Sequence, residues 1–167
     1  ANFGYEARRQ LATDGKRLIG AKAASLIPDN SSILINIGTT TEQVATALRN
    51  RHGLLVITNN TNVINILIGC AGIEVIVAGG VLRHSDGGIV GEAAVDFIRQ
   101  FKVDYAVIGT SAIDEDGSLL DFDYREVKVS QAIIENARKV ILVADRLKLE
   151  RAAPVKIAHL SQIHTFI

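Results

Sequence analysis

Cysteine is almost missing from this chain of 167 residues. Cys70 stands alone, so no disulfide can close within the sequence and no cysteine pair is available to a zinc ion. That fits a reducing compartment, and the cytoplasm is expected. Aromatic residues are scarce as well, five Phe and three Tyr with no Trp, which leaves little to stack an adenine ring. Neither sign of charge is in excess, because 18 Lys and Arg balance 18 Asp and Glu. No overall field draws the chain to nucleic acid or to an anionic membrane. No apolar run reaches the roughly 18–20 residues of a membrane span, and the opening "ANFGYEARRQ" has no signal-peptide core. His52, His84, His159 and His164 are scattered without metal-ligand spacing. Both the Walker loop and the G-x-G-x-x-G fingerprint are missing, so no cofactor is expected. The start without methionine and the apolar ending "QIHTFI" read as the ends of an excised piece, truncated at the C-terminal end as well.

Short β-branched runs are plentiful: "SILINI", "LLVIT", "IEVIVA", "VDYAVIG" and "KVILVA". Each is nearly continuously apolar, as strands buried on both faces of a parallel sheet must be. Helical patterns lie between them. After an N-terminal arm, "GKRLIGAKAASLI" repeats Ile19, Ala23 and Leu26 on one face and stops at Pro28. Residues 41–49 carry Val44 and Leu48, residues 60–68 are apolar throughout, residues 92–101 lead to Phe97 and Phe101, and residues 125–138 align Val129, Ile133 and Ala137. Strand and helix in alternation predict an α/β fold: a Rossmann-like, mostly parallel sheet with helices on both faces, spanning residues 1–167 as one domain.

In such a sheet ligands bind beyond the carboxyl ends of the strands, so the strand-to-helix junctions are the candidate site. The first is Gly38-Thr39-Thr40-Thr41. A helix N-terminus leaves backbone N–H groups unpaired at a positive dipole end, glycine admits close approach, and threonine hydroxyls add donors. This is the chemistry of a phosphate cradle, although Thr40 or Thr41 could simply cap the helix. Asn59 lies in the second junction, residues 57–60, and Gly80 ends the third, residues 78–80. The segment 79–91 holds five glycines and Arg83, whose planar fork suits phosphate or carboxylate. Residues 109–129 gather Gly109, Thr110, Ser111, Asp114, Asp123, Tyr124 and Glu126, of which Asp123 and Glu126 also have capping-box spacing. Lys148 lies just past the last buried run, where its ammonium could meet an anion.

The stretches "INIGTTTEQVATAL", "VITNN", "AGGVLRHSDGGIVGEAAVDFI", "IGTSAIDEDGSLLDFDYREVKV" and "ILVADRLKL" together resemble the C-terminal sensor domain of the DeoR family of bacterial transcriptional repressors, from about residue 6 onward. The resemblance implies a non-enzymatic effector-binding domain, similar in fold to ribose-5-phosphate isomerase and coenzyme A transferases. It implies a homodimer or homotetramer that reaches operator DNA only through a winged helix-turn-helix domain absent from this sequence. It also implies a small phosphorylated sugar or polyol as effector, glycerol-3-phosphate foremost. On this reading the phosphate rests on residues 38–41 with Arg83 or Lys148 neutralising it. Asn59, Asp114, Asp123 and Glu126 read the hydroxyls, Tyr124 closes a wall, and the segment 79–91 moves. The fold likeness raises a rival, an isomerase with Glu126 as general base. The chain, however, has "LLDFDY" where the isomerases carry a lysine-glycine loop, so nothing obvious would stabilise an enediolate oxyanion.

Overall fold

The computed structural model describes the backbone of residues 2–167 and the side chains of residues 11–167. Helix α1 (Asn2–Ser25) leads into β1 (Ser32–Ile35), α2 (Thr39–Ala47), β2 (Leu54–Thr58), α3 (Thr61–Leu67) and β3 (Ile73–Val77). A short hairpin follows, β4 (Val81–Leu82) and β5 (Ile89–Val90), and then α4 (Glu92–Ile98), β6 (Val103–Ile108), β7 (Ala112–Ile113) and β8 (Ser118–Asp121). The chain ends with α5 (Tyr124–Glu135), β9 (Ala137–Leu142), a 3-10 turn at Arg146–Glu150, β10 (Val155–His159) and β11 (Thr165–Phe166).

Six strands form one parallel sheet in the order β11-β9-β6-β1-β2-β3. Alternate residues of these strands feed two separate cores, which is the direct result of the two-residue side-chain period. Ile33, Ile35, Val56, Val107 and Ile141 pack with Ala23, Val44 and Leu67 from α1, α2 and α3 and with Ile27 and Leu48 just past the ends of α1 and α2. Leu34, Ile57, Ala106, Ile108 and Leu142 pack with Val95, Ile98, Val129 and Ile133 from α4 and α5. Helices therefore cover both faces, and the fold is α/β and Rossmann-like.

From β1 the chain moves outward to β2 and β3, then returns to β6 on the other side of β1 and continues to β9. The order reverses between β1 and β6, so a crevice opens beyond the ends of those two strands.

Several details depart from the sequence reading. What was expected as an arm is helical backbone from Asn2. In α1 the buried positions are Gly20, Ala23 and Ala24, with Ile27 just past its end, and Leu26 faces out at 40% exposure. Gly20 is there because a Cβ would lie 2.6 Å from the backbone of Gln43 in α2. The helix expected over residues 125–138 ends at Glu135, and Ala137 opens β9 instead. The glycine-rich segment 79–91 is largely the β4–β5 hairpin and its turn rather than an open loop.

Candidate functional site

A cavity of about 450 Å³ occupies the crevice at the β1/β6 reversal. Its floor is the turn from β1 into α2, with Gly109–Ser111 after β6 and Val143 after β9 beside it. The opposite wall combines Arg83, Ser85 and Asp86 of the hairpin turn with Asp121, Phe122, Asp123 and Glu126 at the β8–α5 junction. Lys148 closes one end from the 3-10 turn.

The floor answers whether the threonines are caps. Gly38 itself occupies the N-cap, at φ 136°, and α2 has no side-chain cap. A Cβ there would be strained by the backbone alone. Thr41 is fully buried, and its hydroxyl lies 2.8 Å from Asn36 O and 2.7 Å from Gly38 O, so its donor points inward. Thr39 Oγ1 accepts from Lys16 Nζ at 3.0 Å. Thr40 keeps its hydroxyl free of hydrogen bonds among the described residues and borders the cavity. The first N–H groups of α2 add donors that the helix cannot satisfy.

The far wall is a clasp built on one guanidinium. Arg83 Nη1 donates to Asp123 Oδ2 and Glu126 Oε2, each at 2.8 Å; Nε donates to Asp86 Oδ1 at 3.3 Å, and Nη2 contacts Asp86 Oδ2. Opposing its burial, Asp86, Glu126 and Asp123 hold the Arg83 pKa above its ordinary range. Asp123 also caps α5 by accepting from Arg125 N at 2.8 Å. Although burial works the other way, that bond and Arg83 keep the Asp123 carboxyl below the usual carboxylate range. Glu126 is the deepest of the three, with 12% of its side chain exposed. Burial first and the neighbouring Asp121 second push it up to about 7, against the pull of Arg83. Asp121 Oδ1 accepts from Ser111 Oγ at 2.9 Å and from Phe122 N at 2.8 Å.

Lys148 contrasts with Arg83. It is half-buried, yet among the described residues its ammonium has no hydrogen bond or ion pair. Burial first, then Arg151, depresses its pKa, and Lys16 acts in the same direction. Asp145 and Asp121 oppose them, so Lys148 stands within reach of both Lys16 and the Asp121 carboxylate.

Of the residues singled out from the sequence, Gly38, Thr39, Thr40, Thr41, Arg83, Gly109, Thr110, Ser111, Asp123, Glu126 and Lys148 line this cavity. Four do not, and each has another task. Asn59 is fully buried, exchanging hydrogen bonds with the backbone of Ile89 and so fastening the hairpin to the sheet. Gly80 makes room under the hairpin, where a Cβ would meet Val90 O at 2.6 Å. Asp114 shapes the β7–β8 turn by accepting from Asp116 N. Tyr124 faces a different depression with Glu92, Arg99 and Lys128, whose ammonium lies 5.1 Å from the ring centre. Sequence reasoning missed Ser85, Asp86, Asp121, Phe122 and Lys16. Asp121 had a signal, an acidic residue closing the apolar run of β8. Lys16 had none, because it acts from a helix remote in sequence.

Relatives are similar to this chain in sequence over nearly its whole length. The glycerol-3-phosphate regulon repressor of Escherichia coli K12 is 48% identical over 97% of this chain, and that of Haemophilus influenzae is 47% identical over the same share. The HTH-type transcriptional repressor CsqR of Escherichia coli K12 is 41% identical, again over 97%. The chain spans 62–64% of the length of these relatives, which are repressors and not enzymes. Among solved structures, ribose-5-phosphate isomerase A from Methanocaldococcus jannaschii superposes with a TM-score of 0.60 at 17% identity, over 82% of this chain and 54% of that one. The eIF2B delta subunit from Chaetomium thermophilum does so at 0.66 and 18% identity, over 91% and 54%. At such identity these two show a common fold alone. The repressors and the site lead to one assignment: the model of the DeoR C-terminal sensor domain matches residues 11–167, and the chain belongs to that family.

Proposed function

We propose that this chain is the effector-binding domain of a bacterial transcriptional repressor and that its effector is a small phosphorylated polyol, glycerol-3-phosphate before others. The observation that carries this reading is the division of labour in the cavity. The α2 N-terminus, the free Thr40 hydroxyl and the unpaired Lys148 are suited to a dianionic phosphate. Asp121, Asp123 and Glu126, which line the same cavity, are suited to hydroxyls. Arg83 is spent on three carboxylates, which favours Lys148 as the phosphate partner. The name of the 48% identical relatives supports glycerol-3-phosphate among the candidates.

Binding of this effector shifts the population of a homo-oligomer toward an arrangement in which the DNA-reading domains of the whole protein no longer fit the operator. The hairpin turn, joined to α5 through Arg83, is the element a ligand touching Glu126 and Asp123 would bias. Operator contact belongs to a helix-turn-helix domain outside this sequence, in the cytoplasm. Titration calorimetry against glycerol-3-phosphate, glycerol and ribose-5-phosphate tests the reading. Heat from the first with none from unphosphorylated glycerol is expected. Equal binding of glycerol, or turnover of ribose-5-phosphate, would overturn it.

A further inference from the structure

Resting on that reading of the cavity, we propose that Asp121 and Glu126 make the site reject phosphorylated ligands whose tail carries a carboxylate, so that the sensor separates polyol phosphates from acid phosphates of the same length. The lining carries four carboxylates, Asp86, Asp121, Asp123 and Glu126, against two cations, Arg83 and Lys148. Among the described residues Arg83 is the one cation of the hairpin and β8–α5 wall, and nearly all its N–H donors are already engaged with Asp86, Asp123 and Glu126. Lys148, which feels the charge of Asp121, is the cation left for a phosphate. A ligand whose phosphate takes Lys148 has the rest of its body among Asp121, Asp123 and Glu126 of the same cavity.

These groups cannot easily turn away. Asp121 is 6% exposed and fixed by Ser111 and by its own β8–α5 turn, and Glu126 is held by Arg83 from the first turn of α5. A hydroxyl can donate to either carboxylate, and the raised pKa of Glu126 lets its protonated form donate in return. A second carboxylate has no hydrogen to offer and, once the phosphate has taken Lys148, finds no unengaged cation among the described lining residues, so it meets like charge in a partly buried pocket. Discrimination of this kind comes from an unfavourable term built against the wrong ligand rather than from extra contacts to the right one.

Glycerol-3-phosphate and 3-phosphoglycerate test this, since they share a backbone and a phosphate and differ in a hydroxymethyl group against a carboxylate. Calorimetry of the chain at pH 8, where Glu126 is ionised, should show 3-phosphoglycerate weaker by about tenfold or more. Asp121→Asn, which retains an acceptor for Ser111 and Phe122, should narrow that ratio to about threefold or less. Glu126→Gln should narrow it independently, and a thermal melt of each variant establishes that it is folded. Equal affinity of the wild type for both compounds overturns the inference while leaving the phosphate site standing. A tenfold ratio untouched in both variants overturns the assignment to these two residues. No binding of either compound overturns the proposed function itself.

Discussion

Glu126→Gln removes one titration from the clasp while keeping the side chain's shape and an acceptor for Arg83. In the wild type burial, then Asp121, places the Glu126 pKa at about 7 rather than the ordinary 4.5, with Arg83 opposing and Asp86 assisting. Folding therefore favours the protonated carboxyl. Its contribution to stability is complete below about pH 4.5 and is lost as pH rises through about 7. At about 1.4 kcal/mol per pH unit, the interval from 4.5 to about 7 corresponds to about 3 kcal/mol. Only 12% of the side chain is exposed, so solvent screening takes little of this away. The assay is urea unfolding of wild type and variant without ligand, at one protein concentration, from about pH 5 to pH 8. The wild type should lose about 2.5 kcal/mol relative to the variant across that range, with the two curves parallel above it. Curves parallel throughout, within about 0.5 kcal/mol, would refute the claim that Glu126 is a buried carboxyl held near its neutral form.

Lys148→Met should weaken glycerol-3-phosphate binding about tenfold to a hundredfold, the range of a charge-assisted hydrogen bond, with little change in urea stability. Unchanged affinity would move the phosphate away from that end of the cavity. Thr40→Val and Thr41→Val should separate two roles that the sequence leaves alike. The Thr41 change removes a buried hydroxyl and leaves Asn36 O with only Asn60 Nδ2 at 3.4 Å and Gly38 O with Glu42 N at 3.1 Å, costing about 1 kcal/mol of stability. The Thr40 change should leave unfolding nearly unaltered and lower affinity for the phosphorylated ligand several-fold in calorimetry.

Local signals carried much of the architecture. The five apolar runs all became strands of the parallel sheet. β1, β2, β6 and β9 are buried over their last three residues, whereas β3, at the sheet edge, leaves Glu74 and Val77 exposed. The junction at residues 38–41 was also legible, since glycine and hydroxyls before an amphipathic run mark a helix start by chemistry alone. Two-residue strands such as β4, β5 and β7 leave no periodicity to detect: the β4–β5 hairpin is fastened through Asn59, and β7 exists by pairing with β8. The fate of Arg83 was equally hidden. Its partners Asp123 and Glu126 are 40 and 43 positions away, so an arginine that looked available for phosphate is consumed by tertiary contacts. Lys148 reads the same way in sequence and ends unpaired, and only three-dimensional placement separates them.

The central position of β1 has a consequence for how such a chain emerges from the ribosome. Its neighbour β6 is joined to it by pairs such as Ile33 with Tyr105, and Asp104 receives the N–H of Ser32 across 72 positions. Topologies so dominated by distant pairing are slow to nucleate. The cavity also draws its parts from residue 37 through to Lys148. A nascent chain stalled short of the 3-10 turn holds the threonine floor and the carboxylate wall without the lysine, and β10 and β11 have still to join β8 and β9, so the cavity gains its unpaired cation after its walls.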